Sequence, residues 1–167
     1  LPLLWPGDVL DIASGDGVLA ELLAPHAHRY VCIDSSQRVV AAASERLRRF
    51  ANVDVREGDM HALPFKDGSF DLVVLMHALT YADKPAQAVA EAARVLRKGG
   101  RLLLSSLAKH EHRSAVEAYG HQNLGFSEKE LRKFADKAGL AIASSETVTR
   151  EKRPPHFEVI SLIGIKP

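Results

Sequence analysis

An apolar run that closes on an acid, Val9-Leu10-Asp11-Ile12, turns through Ala13-Ser14-Gly15-Asp16-Gly17 and runs straight into the helix-like Val18-Leu19-Ala20. Strand, glycine turn and helix in that order make a unit that lets an α/β domain bring its backbone against an adenosine-containing cofactor. Gly15 and Gly17 carry no Cβ, so the turn can take positive φ and a ligand can lie on bare main chain. The acid at the strand end, Asp11, bears on which cofactor that is.

The rest of the chain repeats the alternation. Apolar runs predict strands at Asp8–Ile12, Arg29–Asp34, Val53–Glu57, Phe70–Met76, Gly100–Leu107, Leu140–Thr149 and Phe157–Lys166, and helical spacing predicts helices at Val18–Leu23, Gln37–Phe50, Pro85–Leu96 and Ser127–Ala138. Strands alternating with such helices point to βαβ crossovers and a parallel sheet. Leu72–Met76 is apolar without alternation, as a strand covered on both faces should be. Ser127 and Glu130 have capping-box spacing, Pro85 suits a first helical turn, and Gly99-Gly100 and Gly139 suit helix stops. Lys109–Gly125, polar and rich in histidine, is the longest interruption and is expected to form a mobile lid. Only Arg150–Pro155 separates the last two strands, too little for a crossover helix, so they should pair as an antiparallel hairpin at one edge. The expected architecture is α/β: a mainly parallel seven-stranded sheet, helices on both faces, and a C-terminal hairpin.

A chain of 167 residues fits one domain, 1–167, able to bury roughly 70% of its unfolded surface. The net charge is +1 with no basic block, which gives no reason to expect nucleic acid or membrane contact by this segment. A lone cysteine, Cys32 in a predicted buried strand, fits a reducing compartment and argues against a disulfide or cysteine–zinc scaffold. No apolar run reaches the ~20 residues of a membrane span, and no signal segment opens the chain, so a cytoplasmic location is expected. The chain starts at Leu1 with seven residues before the first strand, and it reads as a fragment lacking an N-terminal segment.

Two cofactors compete for the glycine turn. Gly15-Asp16-Gly17-Val18-Leu19-Ala20 matches the dinucleotide pattern G-x-G-x-x-A, with Asp34 about 20 residues on. Against it stand Asp11, two positions before the first turn residue of the pattern D-x-G-x-G-x-G, a second acid after strand three in Glu57-Gly58-Asp59-Met60, and the terminal hairpin. The catalytic Tyr-x-x-x-Lys pair of a nicotinamide oxidoreductase does not occur.

Asp11–Gly17, Ile33-Asp34, Gly58–Phe65, Gly68–Asp71 and Ala92–Leu102 together resemble a class I S-adenosylmethionine-dependent methyltransferase of the UbiE-like type, over essentially the whole chain. Gly120–Ser127 is similar to methyltransferase domains fused behind an ArsR-family winged-helix repressor. The resemblance implies S-adenosylmethionine as cofactor and S-adenosylhomocysteine as product. It assigns Asp34 to the ribose hydroxyls, Ser35 beside the ribose, Asp59 to the adenine amine and Met60 to the face of the ring. Asp11 would help hold the methionine ammonium, directly or through water. Ala13, Ser14, Gly15 and Gly17 would face the methionine part, with amide donors for its carboxylate. Ala13 departs from the family glycine, and a methyl group there is expected to require negative φ and a slightly displaced loop.

Methyl transfer from a sulfonium needs mainly alignment, and a base only where the acceptor loses a proton. His77, just beyond strand four, is the candidate catalytic residue, either as base or as pocket rim. His110, His112 and His121 lack the cysteine cluster or H-E-x-x-H helix of a metal centre, and no metal is expected. His26, His28, His61 and His156 sit near element ends and call for no function. An N-P-P-Y-like motif after strand four, a Pro-Cys nucleophile and a three-cysteine set are all absent from the sequence. DNA amino, cytosine-C5 and arsenite methylation are thereby disfavoured, leaving a small-molecule acceptor. A cofactor-sensing domain tied to an upstream winged-helix domain is the alternative, and a homodimer is left open. Helices before strand one, which close the acceptor site in the family, would have to lie outside this chain.

Overall fold

The structure, a computed structural model, describes residues 7–167, so most of the Leu1–Gly7 segment lies outside the described residues. Strands β1 (Asp8–Ile12), β2 (Arg29–Asp34), β3 (Val53–Glu57), β4 (Phe70–Met76), β5 (Leu96–Leu107), β6 (Ala141–Arg150) and β7 (Glu158–Ile165) form one sheet in the order β3-β2-β1-β4-β5-β7-β6. The first five run parallel, and β7 is antiparallel to both β5 and β6. The predicted hairpin therefore closes one edge, with β7 between β5 and β6.

Side-chain alternation divides the core. Leu10, Ile12, Val31, Ile33, Val73 and Leu75 pack on the face covered by α3 (Pro85–Val95) and α5 (Glu128–Lys137). Val9, Tyr30, Cys32, Leu72 and Val74 pack on the face covered by α1 (Val18–Leu23) and α2 (Gln37–Leu47). Each fully buried leucine in such a core contributes about 1.5–3 kcal/mol from apolar area. The Ser127–Glu130 capping box forms with both reciprocal bonds, and Pro85 opens α3.

The Gly99-Gly100 helix stop is not observed. Helix α3 ends at Val95, Leu96 is already extended and paired with Phe70, and the register shifts before Leu72 pairs with Arg101. The two glycines sit inside β5, where Gly99 N–H donates to the Lys166 carbonyl at 2.7 Å and Lys166 N–H to the Gly100 carbonyl at 2.9 Å. Leu96 is fully buried, and that burial draws the chain into the sheet before the glycines arrive.

Helix α3 also holds the loop after β3. Arg94 donates to the carbonyls of Phe65 (2.8 Å) and Leu63 (3.0 Å) and to Glu91, while Glu91 Oε2 accepts from Leu63 N–H at 2.7 Å. The Arg94 guanidinium keeps the Glu91 carboxyl below the usual carboxylate range. Two motifs some thirty residues apart are thus one structural unit.

Candidate active site

A cleft of about 250 Å³ lies outside the carboxyl ends of β1, β2 and β3, where open α/β sheets bind ligands. Strand β1 contributes Ile12 and Ala13; β2 contributes Ile33, Asp34 and Ser35; the loop after β3 contributes Gly58, Asp59, Met60 and His61. Tyr81 and Asp83, from the 3₁₀ turn Leu79–Tyr81 and its exit, form the remaining wall. A larger apolar groove of about 630 Å³ lies on the α1–α2 face against Leu22, Leu23, Leu72, Leu103 and Ile163. It has no convergent set of polar groups and is not the candidate site.

Five of the residues singled out in the sequence, Ala13, Asp34, Ser35, Asp59 and Met60, meet in the cleft. Gly15 adjoins them: its N–H donates to Asp34 Oδ2 at 3.2 Å, and Ser36 N–H donates to Asp34 Oδ1 at 3.0 Å. Gly15 has φ +61°, and a Cβ built on it meets nothing within 4 Å, so the turn presents bare backbone to open space. Gly17 serves packing: with φ +87°, its missing Cβ would come within 2.8 Å of Leu47 Cδ1 on α2.

Ala13 takes φ 55°, in the left-handed region that favours glycine. The expected negative φ is not found; Ser14 N–H bonds the Ile33 carbonyl at 3.2 Å and holds the turn against β2. That backbone costs roughly 1–2 kcal/mol for a residue with a Cβ. His77 is a second such residue, at φ 54°, held by its N–H on the Ser105 carbonyl at 3.0 Å. Ala13 and His77 follow β1 and β4, the neighbouring strands at which the strand order reverses; a third such residue, His156 at φ 60°, lies in the β6–β7 hairpin loop, away from the cleft.

Asp11 stands apart from the cleft wall. Alternation along β1 puts it on the α1–α2 face with Val9, 2% exposed, where its Oδ2 accepts the Tyr30 hydroxyl at 2.9 Å. Burial lifts its pKa to about 7, against the lowering effect of the Tyr30 bond. Burial likewise pushes the neighbouring Cys32 thiol up to about 12.

His61, Tyr81 and Asp83 were missed in the sequence. Asp59 Oδ1 accepts from His61 N–H at 2.8 Å and bonds His61 Nδ1 at 2.7 Å. Lys84 N–H donates to His61 Nε2 at 3.2 Å. An amide can only donate, so Nε2 carries the lone pair and Nδ1 the proton that goes to Asp59. These bonds hold the Asp59 carboxyl below its usual range. The Asp-x-His spacing, which favours a side-chain turn onto the backbone two residues on, was the available signal. Nothing local announced Tyr81 or Asp83.

The lid expected over Lys109–Gly125 is pinned. It contains the short helix α4 (Arg113–Glu117). Gln122 and Asn123 donate backbone N–H groups to the Thr80 carbonyl at 2.7 and 3.0 Å, and Asn123 Nδ2 donates to the Leu79 and Ala82 carbonyls at 3.1 and 2.9 Å. His121 thereby meets Tyr81 edge-on at 5.0 Å. Among the described residues no three His, Cys, Asp or Glu side chains converge as a metal-ligating group, and no helix is long and apolar enough to cross a membrane.

Comparison with known proteins decides between the two cofactor patterns. The family model described as "Methyltransferase domain" matches residues 10–104, more than half of the chain. The chain belongs to this methyltransferase-domain family. It is 38% identical over 99 residues to a probable S-adenosylmethionine-dependent methyltransferase of Mycolicibacterium smegmatis, covering 59% of this chain and 37% of that protein. It is 36% identical over 104 residues to the demethylmenaquinone methyltransferase of Renibacterium salmoninarum, covering 62% and 43%. The matched part of this chain thus spans under half the length of these curated relatives. Its fold matches the crystal structure of Bacillus subtilis YcgJ with a TM-score of 0.80 at 21% identity, over 96% of this chain and 92% of that one. The class I S-adenosylmethionine-dependent assignment stands and the dinucleotide pattern does not; these relatives lend the winged-helix resemblance no support.

The cleft fits that cofactor. Asp34 and Asp59 are carboxylates with lone pairs to spare at two strand ends, Met60 and Ile33 are apolar between them, and the Gly15 turn leaves room for main-chain contact.

Proposed function

We propose that the chain transfers a methyl group from S-adenosylmethionine to a small-molecule acceptor by in-line displacement. One observation carries this reading: Asp34 at the tip of β2, Asp59-Met60 after β3 and the open Gly15 turn converge on a single cleft at the carboxyl edge of the sheet. When bound, S-adenosylmethionine supplies a methyl group already activated by the sulfonium charge. The chain's own residues bind and orient. Asp34 would accept from the ribose hydroxyls while Gly15 N–H and Ser36 N–H fix its rotamer. Asp59, held by His61, would accept from the adenine amine, with Met60 against the ring. Ser35 lies beside Asp34, and the amides of the Ala13–Gly17 turn are available to a carboxylate. Asp11 braces β1 through its bond from the Tyr30 hydroxyl, and would help hold the methionine ammonium directly or through water.

His77, on its strained backbone beyond β4, would orient the acceptor or take its proton. Desolvation, then the nearby His121, hold its imidazole below the usual histidine range, so it is neutral and able to accept a proton at pH 7. Alignment of this kind is worth several kcal/mol without any covalent intermediate.

Calorimetric titration with S-adenosylmethionine, S-adenosylhomocysteine and NAD tests the reading, with Asp34→Ala as control. Micromolar binding of the two sulfur ligands, lost in the variant, is expected. Binding of NAD alone would overturn it.

A further inference from the structure

The stretch His77–Lys84 joins β4 to α3 and carries Tyr81, the largest side chain in the wall of the cofactor cleft. Its centre is the single 3₁₀ turn Leu79–Tyr81, closed by Tyr81 N–H on the Ala78 carbonyl and Ala82 N–H on the Leu79 carbonyl, both at 3.1 Å. One isolated turn of this kind is too short to hold itself in water. The ends of the stretch are tied down: His77 N–H donates to the Ser105 carbonyl at 3.0 Å and Lys84 N–H to His61 Nε2 at 3.2 Å.

The middle is held from outside by one short segment. Gln122 and Asn123 both donate their N–H groups to the Thr80 carbonyl, and Asn123 Nδ2 bridges the carbonyls of Leu79 and Ala82 on either side of it. Leu79, Thr80 and Ala82 are at most 1% exposed. Water therefore cannot stand in for the amide, and its loss leaves the buried Ala82 carbonyl without a donor. The clamp has a base of its own at the end of β5, where Phe126 N–H donates to the Leu107 carbonyl at 2.9 Å. The same segment also meets the ring, His121 standing edge-on to Tyr81 at 5.0 Å. The Tyr81 hydroxyl lies within electrostatic reach of Asp34: burial first, then that charge, push its pKa up, so it stays a neutral donor.

We propose that Asn123 is a positioning residue for the cofactor, fixing the turn that sets Tyr81 in the cleft wall, so that affinity depends on a side chain that does not itself line the cleft. For the identity of the ligand this rests on the methyl-transfer reading; the clamp itself does not. The molecule carries a matched control. Asn52 Nδ2 makes the same kind of bridge at the other 3₁₀ turn, Ala24–His26, donating to the carbonyls of Ala24 at 2.8 Å and Ala27 at 3.1 Å. Neither Asn52 nor that turn lines the cleft.

Calorimetric titration of the whole chain with S-adenosylhomocysteine, combined with amide hydrogen exchange of the unliganded chain, tests the proposal. Asn123→Ser is expected to weaken binding roughly tenfold, the size of one lost buried hydrogen bond. Asn52→Ser should lower the melting temperature comparably and leave the affinity unchanged. Because Asn123 acts through Tyr81, the double variant Asn123→Ser with Tyr81→Leu should bind no more weakly than Tyr81→Leu alone. Amides of Thr80–Ala82 should exchange faster in Asn123→Ser, with those of β1 unaffected. Asn123→Leu, which fills a similar volume without donors, serves should the serine variant fail to fold. Unchanged affinity, equal losses in the Asn123 and Asn52 variants, additive losses in the double variant, or unchanged exchange at Thr80–Ala82 would each overturn the proposal. Failure of wild type to bind S-adenosylhomocysteine would instead sink the methyl-transfer reading, and the exchange measurement would still decide the clamp.

Discussion

Gly15 N–H donates to Asp34 Oδ2 across 3.2 Å, tying the turn after β1 to the tip of β2. One carboxylate therefore fixes the glycine turn and, in the proposed reading, would also receive the ribose. Charge-assisted bonds of that kind are worth about 1.5–3 kcal/mol each. Asp34→Ala should weaken S-adenosylhomocysteine binding at least tenfold by calorimetry. An unchanged affinity would place the ribose elsewhere.

His61 positions Asp59 through its Nδ1 proton. Removing one such bond costs about 0.5–1.5 kcal/mol. His61→Ala is expected to weaken S-adenosylhomocysteine roughly three- to tenfold. The analogue with hypoxanthine in place of adenine, which has no amine to give Asp59, should be affected much less. Equal losses for both ligands would mean that His61 supports the loop and not the carboxylate.

Ala13 stores strain at φ 55°. Ala13→Gly relieves it, partly offset by the freer unfolded chain, and should stabilise the fold by about 1 kcal/mol. That corresponds to a rise of about 2–4 °C in a thermal melt. Ala13→Val, branched at Cβ in the same conformation, should lower the midpoint.

Asp11 has a folded pKa of about 7 against an unfolded value near 3.8. Between those values the folded state binds more protons than the unfolded one, so stability falls as pH rises from about 4 to about 7 and is flat above. Asp11→Asn keeps an oxygen for the Tyr30 hydroxyl and removes the charge. Urea denaturation at pH 5 and pH 8 should show the variant gaining stability relative to wild type at the higher pH, by a few kcal/mol at most. The same difference at both pH values would show that the carboxyl is not the titrating group.

Local pattern carried much of the fold. Alternation of apolar runs with helical spacing located all seven strands, because burial on two faces leaves a continuous apolar signature, as in Leu72–Met76. The short link at Arg150–Pro155 required the hairpin, since a parallel return needs a crossover. The loop glycines and the acids after β2 and β3 marked the cleft, because ligands reach the backbone only where side chains stand aside.

Only tertiary structure decided the rest. Asp11 left the cleft because a period of two turns it toward Tyr30, and its partner lies on another strand. Gly99-Gly100 entered β5 because Leu96 found a buried place beside Phe70. Tyr81 and His121, forty residues apart, became neighbours because Asn123 spends its amide on the carbonyls of Leu79 and Ala82. Periodicity and capping act over a few residues and are written in the sequence. The pairing of buried polar groups acts across the whole chain, and it is settled only when the sheet has brought distant segments together.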